Sequence, residues 1–175
     1  TYLQRCKGVI VPLGSTEQHG PTGAIGTDAL TAEAVALEVG CRTGVLVTPA
    51  QAFGMAEHHL AFPGTISLQP STLMAVMRDV VLSLAGHGFE RIFVINGHGG
   101  NIATIEAAFS ELYAEASFAR RPAGFALKLV NWWDLEGVNA LAQQQFPVGH
   151  GSHASHIGFL IDGCGNGNCT GPACV

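Results

Sequence analysis

The sequence predicts a single α/β domain, a three-layer αβα sandwich with a mostly parallel central sheet. Short runs rich in Val, Ile and Phe alternate along the chain with longer segments of helical periodicity. The short runs also lack the polar alternation of a half-exposed strand, as expected when both faces of a sheet are covered. Strands that alternate with helices form parallel sheets with helices on both faces. A length of 175 residues fits one such domain.

Four apolar runs are predicted as buried strands. In chain order they are Val9–Leu13, Val45–Thr48, Arg91–Ile95 and Phe125–Val130. In parallel sheets of this kind the functional residues gather at the carboxyl ends of the strands. Polar residues that directly follow these runs are therefore the first candidates for a site.

The first predicted helix covers Ala29–Val39. Thr27 or Asp28 is expected to cap its amino end, and Gly40 is expected to end it, because these residue types favour those positions.

Two further helices are predicted between the later strands. One begins at Pro70 and Ser71, and the other runs from about Ile102 to Ala119. The apolar residues of the first of them recur at intervals of three and four, which is the spacing of one helix face. They are Leu73, Val76, Met77, Val80, Val81 and Leu84.

Residues 157–175 do not continue these patterns. They contain five glycines and three cysteines, so we interpret them as an atypical tail, frayed or foreign to the domain, which is predicted to span residues 1–156. A C-terminal part of the domain is expected to be missing from the sequence.

Composition restricts the function classes. The chain is 47% hydrophobic and 12% charged, which argues against disorder, and its formal charge of −5 argues against a nucleic acid or an anionic membrane as partner. No apolar run approaches the roughly 20 residues of a spanning helix. The five cysteines include no CxxC pair, so a disulfide framework is not indicated and a cytoplasmic location is expected.

The first polar cluster follows the first predicted strand. Glu17 and His19 are two residues apart on an extended segment and so point to the same side, and Asp28 lies nine residues beyond His19. Carboxylate and imidazole groups are ligands of zinc, manganese and iron. The spacing alone is equally compatible with a polar loop in which Asp28 only caps its helix.

The second cluster is Asn96–Asn101, which follows the third strand and places His98 between glycines. Glycine lets the backbone approach a ligand or metal closely. A phosphate-binding turn is disfavoured, because the spacing matches neither GxGxxG nor the P-loop and no lysine is near. A tight turn with His98 as a bystander is the structural alternative.

Two other segments could line a pocket. Glu57 and His58 lie in a glycine-flanked segment predicted as a loop over the cleft, with His59 beside them, although a solvated loop explains it equally well. Trp132 and Trp133 follow the last strand and could wall an apolar pocket, but paired tryptophans are more often core.

The last cluster contains three histidines, His150, His153 and His156, in a glycine-serine segment. Such a segment is unsuited to a core, and an imidazole there could transfer protons near neutral pH.

Together these segments resemble the creatininase (creatinine amidohydrolase) family. The resemblance rests on VPLGSTEQHGP, GTD, FGMAEHHLAFPGTISL and VINGHGGN, in this order, and covers roughly residues 8–156. It implies an αβα sandwich that commonly assembles into hexamers. It also implies hydrolysis of a non-peptide or cyclic C–N bond in a small amide by a hydroxide held between two divalent ions of zinc, manganese or iron.

The resemblance assigns roles to the clusters. Glu17 and His98 match ligands of one metal, His19 matches a ligand of the other, and Asp28 matches the carboxylate that bridges them. His153 matches a histidine that handles the proton of the leaving nitrogen.

The resemblance also concerns the pocket and the substrate. Trp132 or Trp133 matches a tryptophan that encloses the substrate. A further glutamate ligand of the family falls at Gly100 in some members and at Gly158 in others, so this chain has it at neither position. Its absence leaves an inactive metal-binding remnant as an alternative. Two other enzyme activities share the metal site and also stay open: a formamide hydrolase acting on a pyrimidine intermediate and a peptidase of a peptide-derived cofactor precursor.

Overall fold

The computed structural model describes residues 1–20 and 23–145, which form a four-stranded sheet with helices on both faces. The strands are β1 (Gly8–Leu13), β2 (Leu46–Val47), β3 (Arg91–Asn96) and β4 (Ala126–Asn131). The helices are α1 (Tyr2–Arg5), α2 (Thr27–Thr43), α3 (Pro70–Gly86), α4 (Ile102–Phe118) and α5 (Val138–Gln145). Single 3₁₀ turns occur at Glu57–His59, Gly99–Asn101 and Trp132–Asp134.

The sheet is parallel throughout, with strand order β2-β1-β3-β4. Its register places Leu13, Asn96 and Asn131 level with one another at the carboxyl edge. The predicted α/β fold with a parallel central sheet is confirmed, and the loops that follow β1 and β3 start side by side at this edge.

Helices α3 and α4 cover one face of the sheet and α2 covers the other. On the first face, Leu73, Met77 and Val81 of α3 are fully buried, as the spacing of that helix predicts. On the second face, Ala36 of α2 packs with Ile10 and Ile95. Strand β1 is therefore buried on both faces along its whole length, which explains its lack of alternation. Strand β4, at the sheet edge, instead alternates exposed Ala126 and Lys128 with half-buried Leu127 and Leu129, so the expectation of two covered faces does not hold there.

The predicted limits of α2 were wrong at both ends. Its amino-terminal cap is Gly26, and Thr27 and Asp28 lie inside the first turn. At the other end Gly40 does not stop the helix, which continues to Thr43 and ends at Gly44 with φ of 70°. A Cβ on Gly40 would lie 2.5 Å from Val47 Cγ2, so this glycine serves close packing of helix on strand.

The second strand is shorter than predicted, two residues instead of four; it lies at one edge of the sheet and pairs with β1. Within the described residues, no helix combines the length and the apolar character that crossing a membrane would require.

Candidate metal centre

Three of the four predicted metal ligands meet at the carboxyl edge of the sheet. Glu17 follows β1, His98 follows β3, and Asp28 lies in the first turn of α2, where the helix dipole favours a carboxylate. All three side chains are buried. The approach of α2 to the strands requires a glycine in the loop after β3, because a Cβ on Gly97 would lie 2.1 Å from the Asp28 carbonyl oxygen.

The ring of His98 points its Nδ1 atom at two carboxylates. This nitrogen lies 3.0 Å from Asp28 Oδ2 and 3.3 Å from Glu17 Oε1. The other ring nitrogen, Nε2, lies 2.6 Å from the backbone oxygen of Met55 and must donate a hydrogen to it. In a neutral ring, Nδ1 therefore presents a lone pair to the carboxylates. A histidine that donates one N–H to a carbonyl and offers the other nitrogen is the usual arrangement of a metal ligand.

His19 repeats this arrangement on the opposite oxygen of the same carboxylate. Its Nδ1 lies 3.1 Å from the backbone oxygen of Glu17 and donates to it, while Nε2 lies 2.9 Å from Asp28 Oδ1. Asp28 thus stands between two imidazole rings, each facing one of its oxygens. All four predicted ligands are brought together.

The electrostatics of the cluster favour positive charge between these groups. Burial alone would raise the pKa of the Asp28 carboxyl, but the adjacent rings of His19 and His98 outweigh it and lower this pKa to about 2. Burial would likewise lower the pKa of His98, yet Asp28 and Glu17 raise it to about 10. The pKa of His19 is also raised: burial opposes the shift, but the hydrogen bond and charge of Asp28 prevail. Without a metal, these pKa shifts favour protonated imidazole rings that donate to the carboxylates.

The cluster fits a metal in place of those protons. Asp28 Oδ2 is buried and, among the described residues, receives no hydrogen bond of normal geometry, although an imidazole nitrogen is 3.0 Å away. Glu17, Asp28 and His98 each offer a ligand atom, and these atoms lie within 4.8 Å of one another. Two carboxylates and an imidazole form a donor set suited to zinc, manganese or iron.

Two buried asparagines hold the loops that carry these ligands. Asn96 accepts the backbone N–H of His98 at 3.1 Å and donates to the His98 carbonyl at 2.7 Å and to Asn131 at 2.9 Å. Asn101 donates to the Gly14 carbonyl at 3.0 Å and accepts the N–H of Met55 at 2.8 Å. The segments after β1, β2 and β3 are therefore joined beneath the cluster.

Two polar residues beside the cluster, Gln18 and His59, are not among the site residues that the sequence predicts. His59 is 4% exposed, its Nε2 lies 3.7 Å from Glu17 Oε1, and its Nδ1 lies 3.0 Å from Gln18 Nε2. The sequence signal for His59 is its place in the polar run Glu57–His59. It could not show which ring turns inward, because a 3₁₀ turn sends successive side chains in different directions.

The predicted pocket residues occupy different surroundings. His58 is exposed, and its ring stacks on that of His98 with centroids 5.8 Å apart, while Glu57 is exposed beside it. Trp132 and Trp133 are half-buried after β4, at the same sheet edge, and Trp132 packs against the core beneath α2. His153, the predicted proton-transfer residue, lies outside the described residues.

Comparison with known proteins agrees with this geometry. The sequence profile of creatininase (creatinine amidohydrolase) matches residues 1–158. A creatinine amidohydrolase from Pseudomonas putida is 33% identical over 146 residues, which are 81% of this chain and 56% of that protein. A mycofactocin precursor peptide peptidase from Mycolicibacterium smegmatis is 39% identical over 113 residues, 61% of this chain and 45% of that protein. The chain thus spans about half the length of the curated relatives it matches.

Solved structures show the same similarity. A manganese creatininase superposes with a TM-score of 0.75 at 30% identity, over 86% of this chain and 62% of that chain. A creatininase variant of the Zn-Zn type superposes equally well, with the same coverage.

Proposed function

Because the chain belongs to the creatininase family, we propose that it forms the metal-binding part of an amidohydrolase that cleaves a non-peptide or cyclic C–N bond in a small molecule. One observation carries the proposal. Each oxygen of Asp28 faces an imidazole nitrogen whose ring donates its other N–H to a backbone carbonyl. Lone pairs that face each other in a buried site repel unless a proton or a metal cation lies between them, and this donor set suits a metal.

Two divalent ions, of zinc, manganese or iron, are the proposed occupants. Glu17 and His98 would hold one ion, His19 would hold the other, and Asp28 would bridge them. When bound, such a pair supplies a nucleophile derived from water at neutral pH and polarises a carbonyl oxygen. Burial of the ligands strengthens these interactions, because the local dielectric is low.

The remaining roles concern substrate and proton. His58 has support as a substrate contact, since its exposed ring covers the outer side of His98. Glu57, Trp132 and Trp133 are proposed to contribute to the same pocket. His153 is proposed to deliver the proton that the leaving nitrogen needs, a role that rests on the family resemblance.

The test is amide hydrolysis by the full chain, before and after chelation and metal return. A panel of cyclic amides, formamides and short peptides would be followed by amine release, with wild type compared with Asp28→Asn. The control is Asp79→Asn, the same change at an exposed position on α3. We expect turnover that chelation abolishes, metal restores, and only Asp28→Asn removes. Metal binding without turnover on any amide would identify the chain as an inactive remnant and refute the catalytic proposal.

A peptidase acting on a peptide-derived precursor is the second candidate. The peptidase relatives are 36 to 39% identical to this chain, compared with 33% for the creatinine amidohydrolase, although over a shorter span. Release of C-terminal residues from a peptide, detected by mass spectrometry, would favour this activity. Ring opening of a cyclic amide with no peptide cleavage would favour the first.

We further propose a cytoplasmic location and a homo-oligomer, a hexamer by family resemblance. Light scattering of the purified chain gives its mass directly. A mass of one chain at micromolar concentration would refute the oligomer.

A further inference from the structure

We propose that His59 is a positioning residue, which donates from Nε2 toward the Glu17 carboxylate and is held in that tautomer by Gln18. The inference rests on the proposed metal centre, since Glu17 is one of its ligands. We do not place His59 among the metal ligands, although Glu17, His58 and His59 each offer a ligand atom and these atoms lie within 4.8 Å of one another.

The three side chains form a buried row. Glu17 is 1% exposed, His59 is 4% exposed and Gln18 is 8% exposed. The 3₁₀ turn Glu57–His59 holds the His59 backbone, whose N–H donates to the Ala56 carbonyl at 2.9 Å. Polar groups this deeply buried must satisfy one another, so the direction of each hydrogen bond can be worked out.

The direction begins at Gly20. Its backbone N–H, which can only donate, lies 2.9 Å from Gln18 Oε1 and identifies that atom as the amide oxygen. The other amide atom, Nε2, therefore carries hydrogens and faces His59 Nδ1 at 3.0 Å. A donor opposite Nδ1 requires that Nδ1 accept. In neutral His59 the single ring hydrogen is consequently on Nε2, directed at Glu17 Oε1 at 3.7 Å.

This assignment separates positioning from metal ligation. If Nε2 bound a metal, both ring nitrogens would lack hydrogen, and the ring would be an anionic imidazolate. Flipping the Gln18 amide would let Nδ1 keep its hydrogen and so avoid an imidazolate. The flip would, however, place the amide NH₂ group against the N–H of Gly20. His98 and His19 differ in this respect, because the N–H of each second ring nitrogen donates to a backbone carbonyl, as in metal ligands.

A donor beside Glu17 has a defined effect. It fixes the rotamer of the carboxylate, whose other oxygen, Oε2, lies 3.5 Å from the Ser15 hydroxyl. The remaining lone pairs of Oε1, which also lies 3.3 Å from His98 Nδ1, are left to a metal. At 3.7 Å the contact is electrostatic and longer than a hydrogen bond, so the effect should lie at the lower end of the range known for such neighbours. We expect a loss of about 10-fold in metal affinity when the donor is removed.

The experiment measures zinc affinity by competition with a chromophoric chelator, in the full chain. His59→Leu removes the donor and should weaken the tighter zinc site about 10-fold, whereas His59→Gln, whose amide can donate toward Glu17, should restore most of the affinity. His87→Gln, at an exposed histidine after α3, should change nothing. The melting temperature of each metal-free variant separates loss of affinity from loss of fold.

Two results would overturn the inference: unchanged zinc affinity in a folded His59→Leu variant, or the loss of one whole zinc ion from its stoichiometry, which would make His59 a ligand. If His59→Leu does not fold, nitrogen NMR of the zinc-loaded wild type decides. Hydrogen on Nε2 supports the inference, and hydrogen on Nδ1 refutes it.

Glu17→Gln tests the centre itself. If Glu17→Gln binds zinc normally, the proposed centre fails, and if it binds weakly while His59→Leu does not, only this inference fails.

Discussion

The side chain of Asn101 offers a direct test of how the site is held together. It is completely buried and makes three hydrogen bonds, donating to the Gly14 carbonyl and to Asn96 Oδ1 and accepting the N–H of Met55. These partners belong to three different segments. Gly14 and Met55 are far from Asn101 in sequence, and Asn96 is close to it. We therefore expect Asn101→Ala to loosen all three segments at once.

The size of the effect follows from the groups left behind. In Asn101→Ala the N–H of Met55 and the carbonyl of Gly14 lose their hydrogen-bond partner at Asn101 while they stay buried. Each buried group left unsatisfied costs about 1 to 3 kcal/mol. Allowing for partial relaxation, the free energy of unfolding should fall by about 2 to 4 kcal/mol.

Urea unfolding followed by circular dichroism measures this loss. A chelator should be present, because a bound metal would add its own binding free energy to the folded state. Asn139→Ala, at an exposed asparagine of α5, is the matched control and should change stability by less than about 0.5 kcal/mol. A loss below about 1 kcal/mol for Asn101→Ala would refute the reasoning that this network joins the segments.

Four further predictions concern single groups. In metal-free protein His98 contributes to stability, because its pKa rises from 6.5 to about 10 on folding. This contribution is fully present below pH 6.5 and is lost as pH rises through about 10. In urea titrations with a chelator present, His98→Gln should flatten this decline. The Asp28 carboxyl, whose pKa is lowered to about 2, contributes stability that is present above pH 3.8 and is lost as pH falls toward 2. In an acid titration of unfolding free energy, Asp28→Asn should lack this loss. Gly100→Ala should weaken zinc binding measured by chelator competition, because its Cβ would lie 2.4 Å from the Met55 oxygen and 2.5 Å from His98 Nε2, and unchanged binding would contradict this. Gly44→Ala should lower the melting temperature by an amount equivalent to about 1 kcal/mol, since φ is 70° there, and an unchanged melting temperature would count against it.

The sequence predicted the sheet and the main cluster for a physical reason. Parallel strands place their carboxyl ends at one edge, so residues that follow β1 and β3 had to lie near each other. Glu17 and His98 are such residues, and Asp28 joins them because its helix begins at the same edge. The resemblance then related each side chain to a family ligand, and the geometry of His19 and His98 around Asp28 supports that assignment.

What the sequence did not predict depends on side-chain direction in irregular segments. His59 was grouped with His58 in a loop, yet one ring is buried against Glu17 and the other is exposed over His98. The sequence gives no signal for Gln18, because its role depends on the contacts of its amide with Gly20 and His59. The prediction that Gly40 ends the helix fails because sequence does not show whether a glycine serves a turn or a close contact. Each of these depends on the path of neighbouring segments.

The central claim is that Asp28 bridges two divalent ions, and the metal content of the purified full chain tests it most directly. Elemental analysis after equilibrium with zinc should give two ions per chain for the wild type, about one for His19→Gln, and fewer than one for Asp28→Asn, since both ions depend on its carboxylate. Wild type without bound zinc, or Asp28→Asn that retains two ions, would contradict the account.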